Sequence, residues 1–222
     1  MKFVFVPSKF SYIASFNAIN LRLLPNIIGL VSTVQFSSSL PQLKKYLEAR
    51  GKKVIISKSQ NPCLEPGQVL GCDVTSADNI QDKVQAFLYI GSGKFHPLAI
   101  ATSLKQSKPI FIFNPLTNEF SHLDKNDIDK IMARKRGQKL KFLSSETFGI
   151  LVSTKPGQEK LKQAQELKNK LEKQKKKAYI FLFNDLDINQ TENFPQVQCW
   201  INTACPGLSR EQPFVWINDI KF

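Results

Sequence analysis

The chain has 222 residues, 42% hydrophobic and 22% charged, a balance that excludes disorder, collagen-like repeats and low-complexity architectures and leaves one or two globular domains. Thirty-one Lys and Arg against 18 Asp and Glu give a formal charge of +13. That charge reads either as a lysine-rich surface or as a face for an acidic partner such as nucleic acid, an anionic protein or an anionic cofactor. No apolar run approaches the roughly 20 residues of a spanning helix, so no membrane segment is expected.

At the N-terminus Phe3-Val4-Phe5-Val6, broken by Pro7 and Lys9, is too short for a secretory segment and reads as a strand entering a sheet, which points to a cytoplasmic protein. The apolar run Ile27 to Val31 continues to Thr33-Val34-Gln35. Leu40, Leu43 and Leu47 then recur at helical spacing, with Pro41 suited to a first turn and Gly51 to the stop. Lys53-Val54-Ile55-Ile56 completes a strand, helix, strand unit, the grammar of a parallel α/β sheet. Ala86 to Ile90 and Pro109 to Phe113 predict further strands, with a helix near Pro97 to Leu104 between them. A helix from Asp124, a plausible N-cap, to Arg136 carries Ile128, Ile131 and Met132 and should be stopped by Gly137.

About 120 positions after the first unit the pattern returns. Gly149-Ile150-Leu151-Val152-Ser153-Thr154 resembles Gly29-Leu30-Val31-Ser32-Thr33, and an amphipathic helix follows with Leu161, Ala164, Leu167 and Leu171 on one face. Tyr179 to Phe183 reads as the next buried strand. The fold class is therefore α/β, with two related parallel-sheet, Rossmann-like domains, residues 1–120 and 121–222, joined by the Asp124 helix.

Doubly wound sheets place their chemistry in the loops after parallel strands. Three such stretches stand out: Pro66-Gly67-Gln68-Val69-Leu70-Gly71-Cys72, Ile90-Gly91-Ser92-Gly93-Lys94-Phe95-His96-Pro97, and Trp200-Ile201-Asn202-Thr203-Ala204-Cys205-Pro206. Gly91-Ser92-Gly93 is either a tight turn or a place where backbone N–H groups meet a phosphate or carboxylate; the full G-x-G-x-x-G pattern is absent. His96 either caps and packs at a helix start or acts as a base or ligand, whereas His122 reads as a surface residue. The four cysteines, 63, 72, 199 and 205, are too sparse for a disulfide framework and contain no CxxC pair. If the last strand is extended, Cys199 lies roughly 20 Å from Cys205, so those two cannot share a metal.

Taken together, Leu30-Val31-Ser32-Thr33-Val34-Gln35, Gly67 to Cys72, Ile90 to Pro97, Gly149 to Lys155 with Gly157-Gln158, and Asn202 to Pro206 occur in the order and at about the spacing of the diphthamide synthase family, which the chain resembles over nearly its whole length. The resemblance implies a radical enzyme in which three related α/β domains each give one cysteine to a 4Fe-4S cluster. One iron stays open for S-adenosylmethionine, whose 3-amino-3-carboxypropyl group goes to a histidine of elongation factor 2. Carried over by motif, Cys72 and Cys205 match the second and third family cysteines as metal ligands, and they are expected to lie close together in the folded chain. The first cysteine, with the first domain, has no match. Gln68, Gly71, Ser92, Gly93, His96, Lys155 and Gln158 are the implied lining for S-adenosylmethionine, or structural turns. Gly207 stands where the family usually has Arg, and Arg210 follows nearby.

Three functions are then open. The first is a split enzyme, completed by a chain supplying the missing first domain and third cysteine. The second is a noncatalytic or degenerate subunit that binds a synthase-like partner or the translation factor. The third, an ordinary nucleotide-binding module, is weaker. A hetero- or homo-oligomer is expected, and a nucleic-acid partner is not.

Overall fold

The computed structural model describes residues 6–10, 15–105 and 107–220. Phe3 to Phe5 of the strand read at the N-terminus lie outside the described residues, and Val6 is exposed irregular chain. The chain divides into two compact units, with the division between Asp129 and Lys130.

The first unit contains β1 (Ile27–Ser32), a 3₁₀ turn over Val34–Ser39, α1 (Leu40–Glu48), β2 (Lys53–Ile55), the single-turn α2 (Thr75–Asp78), β3 (Ala86–Ile90), α3 (Phe95–Ser103), β4 (Ile110–Asn114) and β5 (Glu119–His122). The strands form one sheet in the order β2-β1-β3-β4-β5, parallel except for β5, which pairs antiparallel with β4. Period-2 alternation feeds two cores. Ile28, Leu30, Leu88, Ile90 and Phe113 pack on one face against Leu40, Leu43 and Leu47 of α1. Val31, Phe87, Tyr89, Ile110 and Ile112 pack on the other face against Ala77, Ile80 and Ile100. Both faces are covered, which explains why β3 is buried at every position. The α1 signals hold as read: Pro41 sits in the first turn and Gly51 takes φ +80 just past the end.

A 20-residue helix, α4 (Lys125–Ser144), begins with the Asp124 carboxylate accepting the Asn126 N–H at 2.8 Å. It does not stop at Gly137. Gly137 keeps a helical backbone with open space where a Cβ would stand, and the helix runs on until Phe142 is buried against Phe148. A glycine in mid-helix costs only about 1 kcal/mol, less than the burial of a phenylalanine returns.

The second unit continues with β6 (Thr147–Ser153), α5 (Leu161–Lys173), β7 (Lys177–Phe183), a 3₁₀ segment over Ile188–Asn193, β8 (Cys199–Asn202), α6 (Pro206–Glu211) and β9 (Val215–Trp216). Its sheet is wholly parallel, in the order β7-β6-β8-β9. Phe148, Ile150 and Val152 pack against Ala164, Leu167 and Leu171 of α5, the face legible in the helical spacing. β7 is not the buried strand its sequence suggests: it is an edge strand, with Tyr179 47% and Leu182 62% exposed. On the opposite sheet face Phe181, Phe194 and Trp200 form a ring cluster with centroids 4.7–6.1 Å apart.

The duplication extends to single contacts. Gly29 in β1 and Gly149 in β6 each leave space for an aromatic ring of the neighbouring strand, Phe87 and Trp200 respectively. Gln85 and Gln198, each just before a strand, accept backbone N–H groups at Ile27 and at Glu146 with their side-chain oxygens. Lys52 and Lys176 donate to the carbonyls of Leu24 and Ser145. The helix stops repeat as well, the N–H of Lys52 bonding Leu47 O and that of Lys176 bonding Leu171 O.

Candidate functional site

In the first unit the candidate residues gather at the carboxyl ends of β1 and β3. The chain returns to β1 at Gln68, which bridges Ser32 in parallel. Gly67, at φ +76, makes the approach possible, since a Cβ there would lie 2.6 Å from Leu40 and 3.2 Å from the Leu30 carbonyl. The buried Gln68 side chain turns into its own loop, Oε1 accepting from the Glu65 N–H at 3.0 Å, while its carbonyl accepts from Ser76 Oγ at 2.8 Å.

Leu70 and Asp73 then close a tight turn by reciprocal backbone bonds of 2.8 and 3.3 Å, with Gly71 and the exposed Cys72 at its tip. Asp73 steadies the exit: its carboxylate accepts from the Thr75 N–H and hydroxyl and from Ser59 Oγ. A Cβ on residue 71 would lie 2.3 Å from the Phe95 ring, so the Cys72 turn rests directly on the start of α3.

The Gly91-Ser92-Gly93 turn precedes α3, with Ser92 and Gly93 exposed. His96, half-buried, has Nδ1 3.3 Å from the Tyr89 hydroxyl, and its ring stacks on Tyr89 and meets Phe95 edge-on. Burial pushes the Tyr89 phenol up to about 12, against a hydrogen bond with Thr33 that pulls it down. It therefore stays protonated at neutral pH, as a hydrogen-bonding partner and not a base.

In the second unit Lys155 and Gln158 lie in an exposed turn after β6, where the Gln158 N–H donates to Lys155 O at 3.1 Å and Ser153 Oγ accepts the Lys155 N–H. Lys155 Nζ pairs with Asp185 Oδ1 at 2.5 Å and holds that carboxyl below its usual range, an exposed pair of little worth to stability. Cys205, half-buried, follows β8 and stands at the N-cap position of α6 without a side-chain capping bond, with Pro206 in the first turn. Sequence reasoning passed over Asn202, although an amide ending a strand otherwise made of Cys199, Trp200 and Ile201 was the available signal. Its side chain is fully buried and bonded to the Cys205 loop.

The remaining cysteines differ. Cys63 is exposed in an Asx turn, its N–H bonded to Asn61 Oδ1. Cys199 lies in the core beneath α5, where burial pushes its thiol up to about 12 although Lys141 and Lys176 pull the other way. A thiol held protonated is a poor ligand. Among the described residues no three His, Cys, Asp or Glu side chains gather at metal-holding distances. Each unit carries one motif cysteine on a strand-end loop, and among the described residues neither unit by itself brings three thiolates together.

A family model described as "Putative diphthamide synthesis protein" matches residues 1–213. The chain belongs to this diphthamide synthesis family. The family's curated members include the 2-(3-amino-3-carboxypropyl)histidine synthase of Pyrococcus horikoshii, 30% identical over 189 residues, covering 85% of this chain and 53% of the relative. Subunit 1 of the Caenorhabditis elegans synthase is 35% identical over 187 residues, covering 81% and 44%. The chain thus spans about half the length of the curated relatives it matches. The crystal structure of Dph2 from Pyrococcus horikoshii with a 4Fe-4S cluster superimposes with a TM-score of 0.77 at 29% identity, covering 90% of this chain and 57% of that one. This likeness agrees with the α/β fold read from the sequence. Among the described residues no helix is long and apolar enough to cross a membrane.

Proposed function

We propose that this chain is part of a synthase that transfers the 3-amino-3-carboxypropyl group of S-adenosylmethionine to a histidine of elongation factor 2 in the cytoplasm, the first step of diphthamide biosynthesis. Residues 1–120 and 121–222 correspond in this reading to the synthase's second and third domains. Cys72 and Cys205 are two of three cluster ligands in this reading, and the third thiolate comes from residues outside this sequence. When bound, a 4Fe-4S cluster with one open iron supplies the electron that cleaves the Cγ–S bond of S-adenosylmethionine.

The observation that carries the proposal is the sorting of the cysteines. Both motif cysteines sit on braced loops at the carboxyl ends of strands, whereas Cys199 is sealed in the core with its thiol pushed up to about 12. Among the implied lining residues, Ser92, Gly93, Lys155 and Gln158 are exposed, as a lining requires before a cofactor covers it, and a cofactor carboxylate would have to take Lys155 from its pair with Asp185. Gly71 serves by letting the Cys72 turn approach Phe95. Gln68 and His96 act one layer behind, holding the Cys72 loop and the start of α3.

Anaerobic reconstitution with iron and sulfide, in the presence of a polypeptide carrying the remaining family domain, tests this. Cys72→Ser and Cys205→Ser should each abolish the broad visible absorption and aminocarboxypropyl transfer, while Cys63→Ser and Cys199→Ala keep both. Absorption lost with Cys63→Ser would instead show that this chain provides its own third thiolate. The alternative reading, a noncatalytic subunit that binds a synthase-like partner or the translation factor, is favoured by Gly207 at the second position of α6, where the family usually has Arg. It predicts association with the partner or translation factor but no turnover with any complement.

A further inference from the structure

The ladder between β6 and β8 ends at Leu151 and Asn202, and the Thr203 N–H and hydroxyl take the last carbonyl, that of Leu151, at 3.1 and 2.8 Å. Beyond that point the sheet no longer dictates the path of the chain. The fully buried Asn202 side chain takes over. Its Nδ2 donates to the Cys205 carbonyl at 2.6 Å and to Ser209 Oγ at 3.0 Å, and its Oδ1 accepts the Ala204 N–H at 2.9 Å. The Cys205 carbonyl also accepts the Leu208 N–H at 3.1 Å, so one oxygen ties the strand end to the first turn of α6. Farther along the same helix the buried Gln138 of α4 donates to the carbonyls of Ser209 and Gln212 at 2.8 and 3.2 Å.

We infer that Asn202 is the positioning residue of Cys205: its carboxamide, more than the sheet or the short helix, fixes the backbone that aims this thiol. The fold itself does not ask for an amide there. In the first unit the position in the same register, opposite Val31, is Tyr89, and there the ladder runs on for one more pair, Ser32 with Ile90. An amide is the side chain that can donate to a carbonyl and a hydroxyl while accepting from an N–H, the set of partners this loop offers. Aiming matters because a metal cluster accepts a thiolate only in a narrow range of positions, and a ligand left to a floppy loop pays its ordering entropy at binding.

The inference rests on the proposed ligand role of Cys205 for its functional meaning, but its test needs no iron. Native chain is alkylated with iodoacetamide and each cysteine quantified by mass spectrometry, alongside amide hydrogen exchange. With Asn202→Ala, the Cys205 rate should rise at least about fivefold, the loss of one net hydrogen bond, while Cys72 in the other unit is unchanged. The Ala204 and Leu208 amides should exchange faster by a similar factor. Asn202→Asp keeps the acceptor for Ala204 and loses both donors, so Leu208 should speed up and Ala204 stay protected. Ile201→Val, a neighbouring core change, serves as the control for a merely structural role and should lower Tm without altering this pattern. A Cys205 rate within about twofold of wild type in Asn202→Ala, or an equal rise in Ile201→Val, would overturn the inference. If Asn202→Ala does not fold, retained Leu208 protection in Asn202→Asp overturns it alone. Failure of the wild-type chain to hold iron with its complement would count against the ligand role and leave these rates unaffected, so the two failures are distinguishable.

Discussion

The two units use one scaffold and hold their cysteines differently. In both, a glycine on the central strand admits a ring from the next strand, a glutamine side chain closes the strand entry, and a lysine ammonium takes a carbonyl at the foot of the sheet. At the carboxyl ends the resemblance stops. Cys72 sits on a turn closed by its own backbone and propped on Phe95, whereas Cys205 hangs from a buried amide. The contacts that stabilise the sheets are duplicated, and the contacts around the two motif cysteines are not. The sheets also differ in cover, the first being packed on both faces and the second leaving an aromatic cluster and an exposed edge on its far side.

The shared glycines give the largest expected effect. An added methyl at Gly29 would stand 2.8 Å from the Phe87 ring, and one at Gly149 would stand 2.4 Å from that of Trp200. Both substitutions to Ala should cost about 1–3 kcal/mol in urea unfolding. Phe87 is fully buried and has nowhere to go, while Trp200 is half-buried, so Gly29→Ala should be the more costly despite the longer distance. The reverse order would mean that the second unit is the more rigidly packed.

Cys199 sharpens the comparison by pH, since its register partner in the first unit, Ala86, carries no titrating group. Its folded-state thiol is raised to about 12, so above about pH 9 the unfolded chain gives up a proton that the folded chain keeps. Stability should then fall as pH rises, by up to about 1.4 kcal/mol per unit between roughly pH 9 and 12. The loss should be smaller by that amount in Cys199→Ala, measured as the difference in slope between the two proteins. Parallel slopes would show that the thiol is hydrated.

The smallest effect concerns the helix stops. Gly51 at φ +80 and Lys175 at φ +63 occupy the same left-handed position after α1 and α5. Lys175→Gly should therefore stabilise by about 0.5–1 kcal/mol, and Gly51→Ala should cost a similar amount, both read from thermal unfolding. A neutral Lys175→Gly would place the strain of the second stop elsewhere.

Much of this scaffold was legible because it is written in local periodicity. Leu161, Ala164, Leu167 and Leu171 announce α5, and Pro41 and Gly51 bracket α1. The signals that misled were those whose meaning depends on distant residues. Gly137 looks like a stop until the burial of Phe142 is counted, and Tyr179 to Phe183 looks like a central strand because nothing in an apolar run reveals that it has one neighbour instead of two. β5 and β9, at four and two residues, are too short to announce themselves. Of the candidate site, the cysteines and the turns around them could be read from motifs. The inward fold of the Gln68 side chain could not, and the amide of Asn202 at the end of an apolar strand marked a polar role without naming its partners, because a polar residue in a sequence does not say whether those will be solvent or the backbone of its own loop.

The exposed outer strand of the second unit has a consequence for how the chain survives synthesis. Among the described residues β7 pairs only with β6, and it presents Leu182 outward, with a row of main-chain groups on its open side. Such an edge is a template on which another copy can add a strand while both are still folding. Lys177 at its start and the lysines just before it supply repulsion between copies, which weakens as salt screens it. Yield on refolding should therefore fall with protein concentration, and fall further at high ionic strength. A single charge introduced at Leu182 should recover it without touching either cysteine loop.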